Sequence, residues 1–123
     1  KVISLSAFYA TAPWGFQSDN NFLNAAAGVE TSLSPFDILE RTQRIEQEIG
    51  RLHKSHDGVY SDRLIDIDLL LYGDKILQDE RLSLPHPLMT ERKFVLEPLA
   101  EIAPDVVHPV LHKTIRELFL VLS

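Results

Sequence analysis

The chain has 123 residues, 45% of them hydrophobic, and a formal net charge of −6, which suits one packed domain with one core. The negative balance argues against a general nucleic-acid or membrane-surface binder, since such partners attract positive faces. The absence of cysteine removes disulfides, thiol catalysis and zinc–thiolate sites and fits the cytoplasm, and no apolar run reads as a membrane span or signal peptide.

The chain opens on Lys1-Val2-Ile3-Ser4-Leu5-Ser6, already strand-like and without an initiator Met, as if entered partway through. Residues 2–10 read as a strand, with alternation around Ser4 and Ser6. Pro13 and Gly15 then fix a loop around Trp14, whose ring is either a partly buried loop aromatic or a wall for a flat ligand. Residues 22–31 read as a second strand, with Leu23, Ala25, Ala27 and Val29 on one face and Phe22 and Asn24 on the other. An aromatic ring and an amide two apart can stack on and hydrogen-bond one planar heterocycle, or be an edge Phe and a strand-end Asn. The small residues 25–28 would let a helix pack closely on this sheet.

Ser34-Pro35 starts a helix, Ser34 as N-cap and Pro35 in the first turn. Ile38, Thr42, Ile45, Ile49 and Leu52 form its buried stripe, with Gln43, Glu46 and Gly50 beside it and an end near Gly50. A polar loop over 53–62, with two histidines and Lys54, could close over a substrate or simply be mobile.

Ile65, Ile67, Leu69 and Leu71 predict a buried strand face, with Asp66 and Asp68 on the other side. Residues two apart on a strand point the same way, roughly 7 Å apart. Two carboxylates there are either a solvated polar face or the seat of positive charge; a magnesium pair roughly 4 Å apart fits the spacing. Arg63 would sit near the strand mouth, and Arg51, Arg81 and Arg92 recur in the same half of an acidic chain. Gly73-Asp74 predicts a turn, with 75–77 returning as a hairpin. Pro85 and Pro87 hold 82–87 extended, so that Arg81, Ser83 and His86 project from a rigid path. Residues 88–97 predict a short helix carrying Arg92 and Phe94, with Leu96, Leu99 and Ile102 in the core and Pro98 and Pro104 as punctuation. Thr114 predicts the cap of a last helix through Ile115, Leu118, Phe119 and Leu122.

Several stretches together resemble the 6-hydroxymethyl-7,8-dihydropterin pyrophosphokinase family: Phe8 to Gly15, Phe22 to Ala26, Thr42 to Glu46, Gly50-Arg51, Arg63 to Asp68, Glu80 to Pro87 and Arg92 to Leu99. The likeness runs from about Phe8 to about Pro104, in order and near family spacing. It implies an α+β, ferredoxin-like two-layer sandwich, mostly antiparallel sheet with helices packed on it, in a single domain over 1–123. The implied reaction moves diphosphate from ATP to the pterin's hydroxymethyl oxygen, leaving AMP, in folate biosynthesis. The partners implied are therefore ATP and the dihydropterin.

By the same resemblance Asp66 and Asp68 hold two Mg²⁺ ions, and Arg51 and Arg63 close on the phosphates; these four form the catalytic set. The pterin lies between Phe22 and Phe94, held by Asn24 and by groups of Thr11, Pro13 and Trp14. Gln43, Glu46, His53, Tyr60, Leu69, Arg81, Ser83, His86 and Arg92 stand on the ATP side. The sequence departs from the family where Phe22 replaces a common Tyr, His53 an Arg, Tyr60 a Trp and Pro87 an aromatic. Members also open with a strand, a Gly-Ser-Asn turn and a helix, about thirty residues, without counterpart here. The expectation is that the natural protein carries that segment, and that its loss would expose a sheet edge and impair activity. The competing reading is a non-catalytic ligand or RNA module. The acidic charge and the lack of an aromatic RNA-binding strand motif weigh against RNA, and a regulatory module leaves the Asp pair and four arginines unexplained.

Overall fold

Each of the two stretches expected to form one strand forms two. In the computed structural model, which describes residues 1–11, 22–52 and 65–123, with backbone only at 11, 22, 51 and 52, β1 is Val2–Leu5, β2 Tyr9–Thr11, β3 Phe22–Asn24 and β4 Ala27–Val29. β1 pairs antiparallel with β4, and β2 with β3. Between Leu5↔Ala27 and Tyr9↔Asn24, residues 6–8 stand opposite only 25 and 26. One strand thus has a residue too many, which breaks a ladder and turns the strand. The buried Ser6 bridges the gap. Its N–H donates to the Ala26 carbonyl at 2.8 Å, and its Oγ accepts from the Ala26 N–H at 2.8 Å.

The first helix, α1, spans Pro35–Leu52, and Ser34 Oγ accepts from Asp37 N–H at 3.2 Å as its sequence predicts. It runs two residues past Gly50. Of the expected buried stripe, Ile38, Thr42 and Ile49 are only half-buried and Ile45 is 45% exposed, while the Leu52 side chain lies outside the described residues. The reason lies in the covering: among the described side chains of α1, none belongs to the core cluster. The helix and the segment just before it are instead tied to residues 65–72, where Glu46 Oε2 accepts from Ile67 N–H at 2.6 Å and Tyr72 OH donates to the Leu33 carbonyl at 2.5 Å.

Residues 65–72 correct another expectation. Ile65 to Asp68 alternate half-buried and exposed, as expected, yet the segment joins no ladder among the described residues and none of it is fully buried. It is held by separate hydrogen bonds and by packing instead: besides the bond to Glu46, the Leu70 carbonyl accepts from His86 N–H at 2.9 Å, and Leu70 and Leu71 pack against the core. The turn after it is as expected, with Lys75 N–H donating to the Tyr72 carbonyl at 3.0 Å and Gly73 at φ +57, a value that favours glycine. The hairpin is not. The return, β5 (Leu77–Gln78), pairs forward with β6 (Ser83–Leu84) instead of backward. Asp79 sets this second turn, its N–H donating to the Leu82 carbonyl and its Oδ1 accepting from Arg81 N–H.

A 3₁₀ turn over Met89–Glu91 leads through extended Arg92 into α2, Lys93–Ile102. Pro98 does not punctuate; it is fully buried inside α2. The last helix, α3 (Ile115–Leu122), carries the expected Thr114 cap, completed as a capping box by Glu117. Its Leu122 is exposed, because the helix turns only Ile115 and Leu118 fully inward. Ala26, Met89, Leu96, Leu99, Ile115 and Leu118 form the core where α2 and α3 meet the small residues of the hairpin. The described residues are thus an α+β chain of three α-helices and short antiparallel ladders.

Between α2 and α3, buried His108 holds a turn. Its Nδ1 accepts from Val110 and Leu111 N–H at 3.3 and 3.1 Å, and its N–H donates to the Lys113 carbonyl at 2.8 Å. Burial, then the nearby His112, lowers the His108 pKa below 6.5. A lowered folded pKa means that the unfolded chain takes up the proton first as pH falls. The stability this group contributes is therefore complete above pH 6.5 and is lost on acidification from there down to its folded pKa. The variant His108→Asn should show a flatter stability profile across that window in urea titrations at stepped pH. An unchanged slope would show that His108 is not the group that titrates.

Candidate active site

Two groups of side chains stand out. The first is built on residues 65–72. Strand-like spacing turns Asp66 and Asp68 outward together, both exposed, while Ile65 and Ile67 face in. Glu46, half-buried on α1, accepts the backbone N–H between the two aspartates and so fixes that stretch against the helix. Gln43, one turn earlier, is exposed; Leu69, further along the segment, is half-buried. No cluster of three or more metal-ligating side chains occurs among the described residues. Two exposed carboxylates are nonetheless a fitting donor set for Mg²⁺, which binds through one or two carboxylates plus substrate phosphates and water.

Arg81 lies beside the first turns of α1, its guanidinium 5.5 Å from the Phe36 ring centre and 3.8 Å from Glu40. Both partners of that ion pair are more than half exposed, so it holds Arg81 only loosely. Ser83 and His86 line an open cleft of about 620 Å³. His86 Nδ1 accepts from Leu88 N–H at 3.2 Å, which in a neutral ring leaves the proton on Nε2. His108, Val110 and Leu111 form another part of the cleft lining. Sequence reasoning missed these residues; a His-Pro pair among apolar neighbours was the available signal.

The second group joins the hairpin to α2. The β2–β3 register sets Tyr9 opposite Asn24 and position 11 opposite position 22. Directly opposed residues of an antiparallel pair share a face, and so do residues two apart. Positions 9, 11, 22 and 24 therefore lie on one face. Phe94, 41% exposed, lines a cleft of about 340 Å³ with Tyr9, Lys93 and Glu97. Arg92 lies over the Phe94 ring at 5.6 Å, a cation–π distance. Of the expected site residues, Asn24 and Phe94 are thus brought to elements in contact, and Arg92 joins Phe94. Pro13, Trp14, His53, Tyr60 and Arg63 lie outside the described residues, as do the side chains of Thr11, Phe22 and Arg51.

Comparison with known proteins bears on the family of this chain. The family described as 7,8-dihydro-6-hydroxymethylpterin-pyrophosphokinase matches residues 1–104. The chain is 50% identical over 111 residues to a 2-amino-4-hydroxy-6-hydroxymethyldihydropteridine pyrophosphokinase of Porphyromonas gingivalis, covering 89% of this chain and 74% of that protein. It is 38% identical over 117 residues to the protein of that name from Aquifex aeolicus, covering 95% of this chain and 71% of the relative. It is also 39% identical over 117 residues to the folic acid synthesis protein fol1 of Schizosaccharomyces pombe, covering 95% of this chain and 16% of that one.

Proposed function

The chain belongs to the 7,8-dihydro-6-hydroxymethylpterin-pyrophosphokinase family, and from that membership we propose that it transfers the diphosphate of ATP to the hydroxymethyl group of 6-hydroxymethyl-7,8-dihydropterin, releasing AMP, as a step of folate biosynthesis. The observation that carries the reading is the pairing of an acidic ledge at Asp66 and Asp68 with an aromatic cleft at Tyr9 and Phe94 on one small chain. An acidic ledge suits a metal–triphosphate and an aromatic cleft suits a flat heterocycle. A non-catalytic module has no use for both.

In this reading the pterin stacks on Phe94 and Phe22, and Asn24 hydrogen-bonds its edge, with groups of Thr11, Pro13 and Trp14 completing the pocket. The hydroxymethyl oxygen, giving up its proton to solvent, attacks the β-phosphorus, forming a new O–P bond. The bond from that phosphorus to the oxygen it shares with the α-phosphate breaks, and AMP leaves. Asp66 and Asp68 would hold two Mg²⁺ ions, which when bound supply charge neutralisation on the phosphates and lower the pKa of the hydroxyl. Arg81, Arg92 and the Nε2–H of His86 donate to phosphate oxygens, with Ser83 beside them, while Gln43, Glu46, Leu69, His53 and Tyr60 enclose the nucleotide. Arg51 and Arg63 close on the transferred group. Such transfer depends mainly on positioning and charge stabilisation, which is what these side chains offer.

The same reading makes residues 1–123 a single domain of ferredoxin-like, two-layer architecture, working in the cytoplasm where ATP is drawn on. The antiparallel ladders and the packing of α2 on the hairpin support it. Among the described residues no helix is long and apolar enough to cross a membrane. Its test is product analysis of the purified chain with Mg²⁺, ATP and the dihydropterin. AMP should appear in step with pterin diphosphate. Formation of ADP, or no pterin-dependent nucleotide turnover, overturns the proposal.

A further inference from the structure

The break between β1 and β2 leaves a backbone donor that the hairpin itself does not satisfy. Ala7 lies in the three-residue side of the break, where the ladder supplies no opposite carbonyl. Its N–H donates instead to the Glu101 carboxylate on α2, at 3.1 Å to Oε2 and 3.2 Å to Oε1. The same carboxylate accepts from Tyr9 OH at 2.5 Å. One side chain thus binds the hairpin at two points, across more than ninety positions of sequence.

Both ends of this clamp bear on the aromatic cleft. Tyr9 lines it and shares its strand face with Asn24. On α2, Phe94, Glu97 and Glu101 follow at three- and four-residue spacing, so they lie along one side of the helix. The distance between Phe94 and the Tyr9–Asn24 face is therefore governed by how α2 is held to β2. Glu101 also keeps the phenol a donor: the hydrogen bond to Glu101, then burial, then the charges of Glu101 and Glu97, raise the Tyr9 pKa above its ordinary value of 10.0.

We infer that Glu101 is a positioning residue for the pterin side of the site, holding Tyr9 and β2 at a fixed distance from Phe94 so that the cleft admits a single flat ring. The inference rests on the pterin reading given above. It assigns a role in pterin affinity to two residues that are not among those given to the nucleotide, so the effect falls on one substrate and not the other. A carboxylate suits the post because it accepts from the backbone and the phenol together. An amide keeps one accepting oxygen and should retain part of the function.

The test is calorimetric titration of the whole chain, first with Mg²⁺ and α,β-methylene ATP, then with 6-hydroxymethylpterin at saturating nucleotide. Tyr9→Phe and Glu101→Ala should weaken pterin binding on the order of tenfold, the scale of one charge-assisted hydrogen bond. Nucleotide affinity should stay within about twofold, well below the tenfold that such a bond represents. Glu101→Gln should recover part of the lost pterin affinity. Tyr9→Phe keeps the ring and should melt near the parent temperature. Unchanged pterin affinity in Tyr9→Phe and Glu101→Ala overturns the inference, as does an equal loss for both ligands with a lowered melting temperature, which would mark a merely structural bond. Failure of the parent chain to bind the pterin at all would instead overturn the pterin reading, and this inference with it.

Discussion

Asp66→Ala and Asp68→Ala should each lower AMP formation by on the order of a thousandfold or more, the upper end of what one group stabilising charge in a transition state contributes. The expectation follows from placement. Both carboxylates are exposed on the outer side of residues 65–72, and neither belongs to the buried core, so their removal takes charge from the proposed metal site without opening a cavity. Circular dichroism and melting temperature should stay at parent values. Mg²⁺-dependent binding of nucleotide should fall in the same variants, which separates lost metal from lost fold. Normal turnover in either variant would remove the metal assignment from that residue.

Leu96→Ala is the largest effect expected on stability. Leu96 is fully buried in α2, within the cluster that also holds Met89, Leu99 and Ile115. Truncating such a leucine removes its transfer energy and leaves a cavity, together about 2–5 kcal/mol. A domain of this size has in all about 5–15 kcal/mol. Urea unfolding should show a markedly lower midpoint at an unchanged slope. Ile45→Ala, on the half-covered stripe of α1, should cost well under half as much, since a side chain 45% exposed in the native state has less burial to lose. Equal losses at the two positions would show that α1 is as much part of the core as α2, contrary to the packing described.

Much of the local structure was legible because it depends on near neighbours in sequence. Ser34-Pro35 and Thr114 start helices through side chains that reach only three residues ahead. Gly73-Asp74 turns the chain through one four-residue bond. The outward pair Asp66 and Asp68 follows from two-residue alternation alone, and Asn24 and Phe94 were expected in the site through the motifs they stand in. What failed depended on partners elsewhere. Alternation over 65–71 suggested a buried strand, but a strand is completed only by a neighbour's hydrogen bonds. The 3.6-residue stripe of α1 likewise marks which side a helix would bury without saying what covers it. Pro98 was read as a stop by local rules, yet the helix continues through it, with the proline fully buried.

The sequence by itself determined the family, the helix caps, the turn residues and the chemical types on offer: an acidic pair, recurrent arginines, and an aromatic with an amide. Each is a property of residues a few positions apart or of motifs in fixed order. Only the tertiary structure decided that Ser6 bridges a broken hairpin, that β5 pairs forward and that Glu101 meets Ala7 and Tyr9. A carboxylate on a helix face looks the same in sequence whether it faces water or a backbone donor. Which of the two it meets is settled when the whole chain packs and every buried or broken hydrogen bond must find a partner.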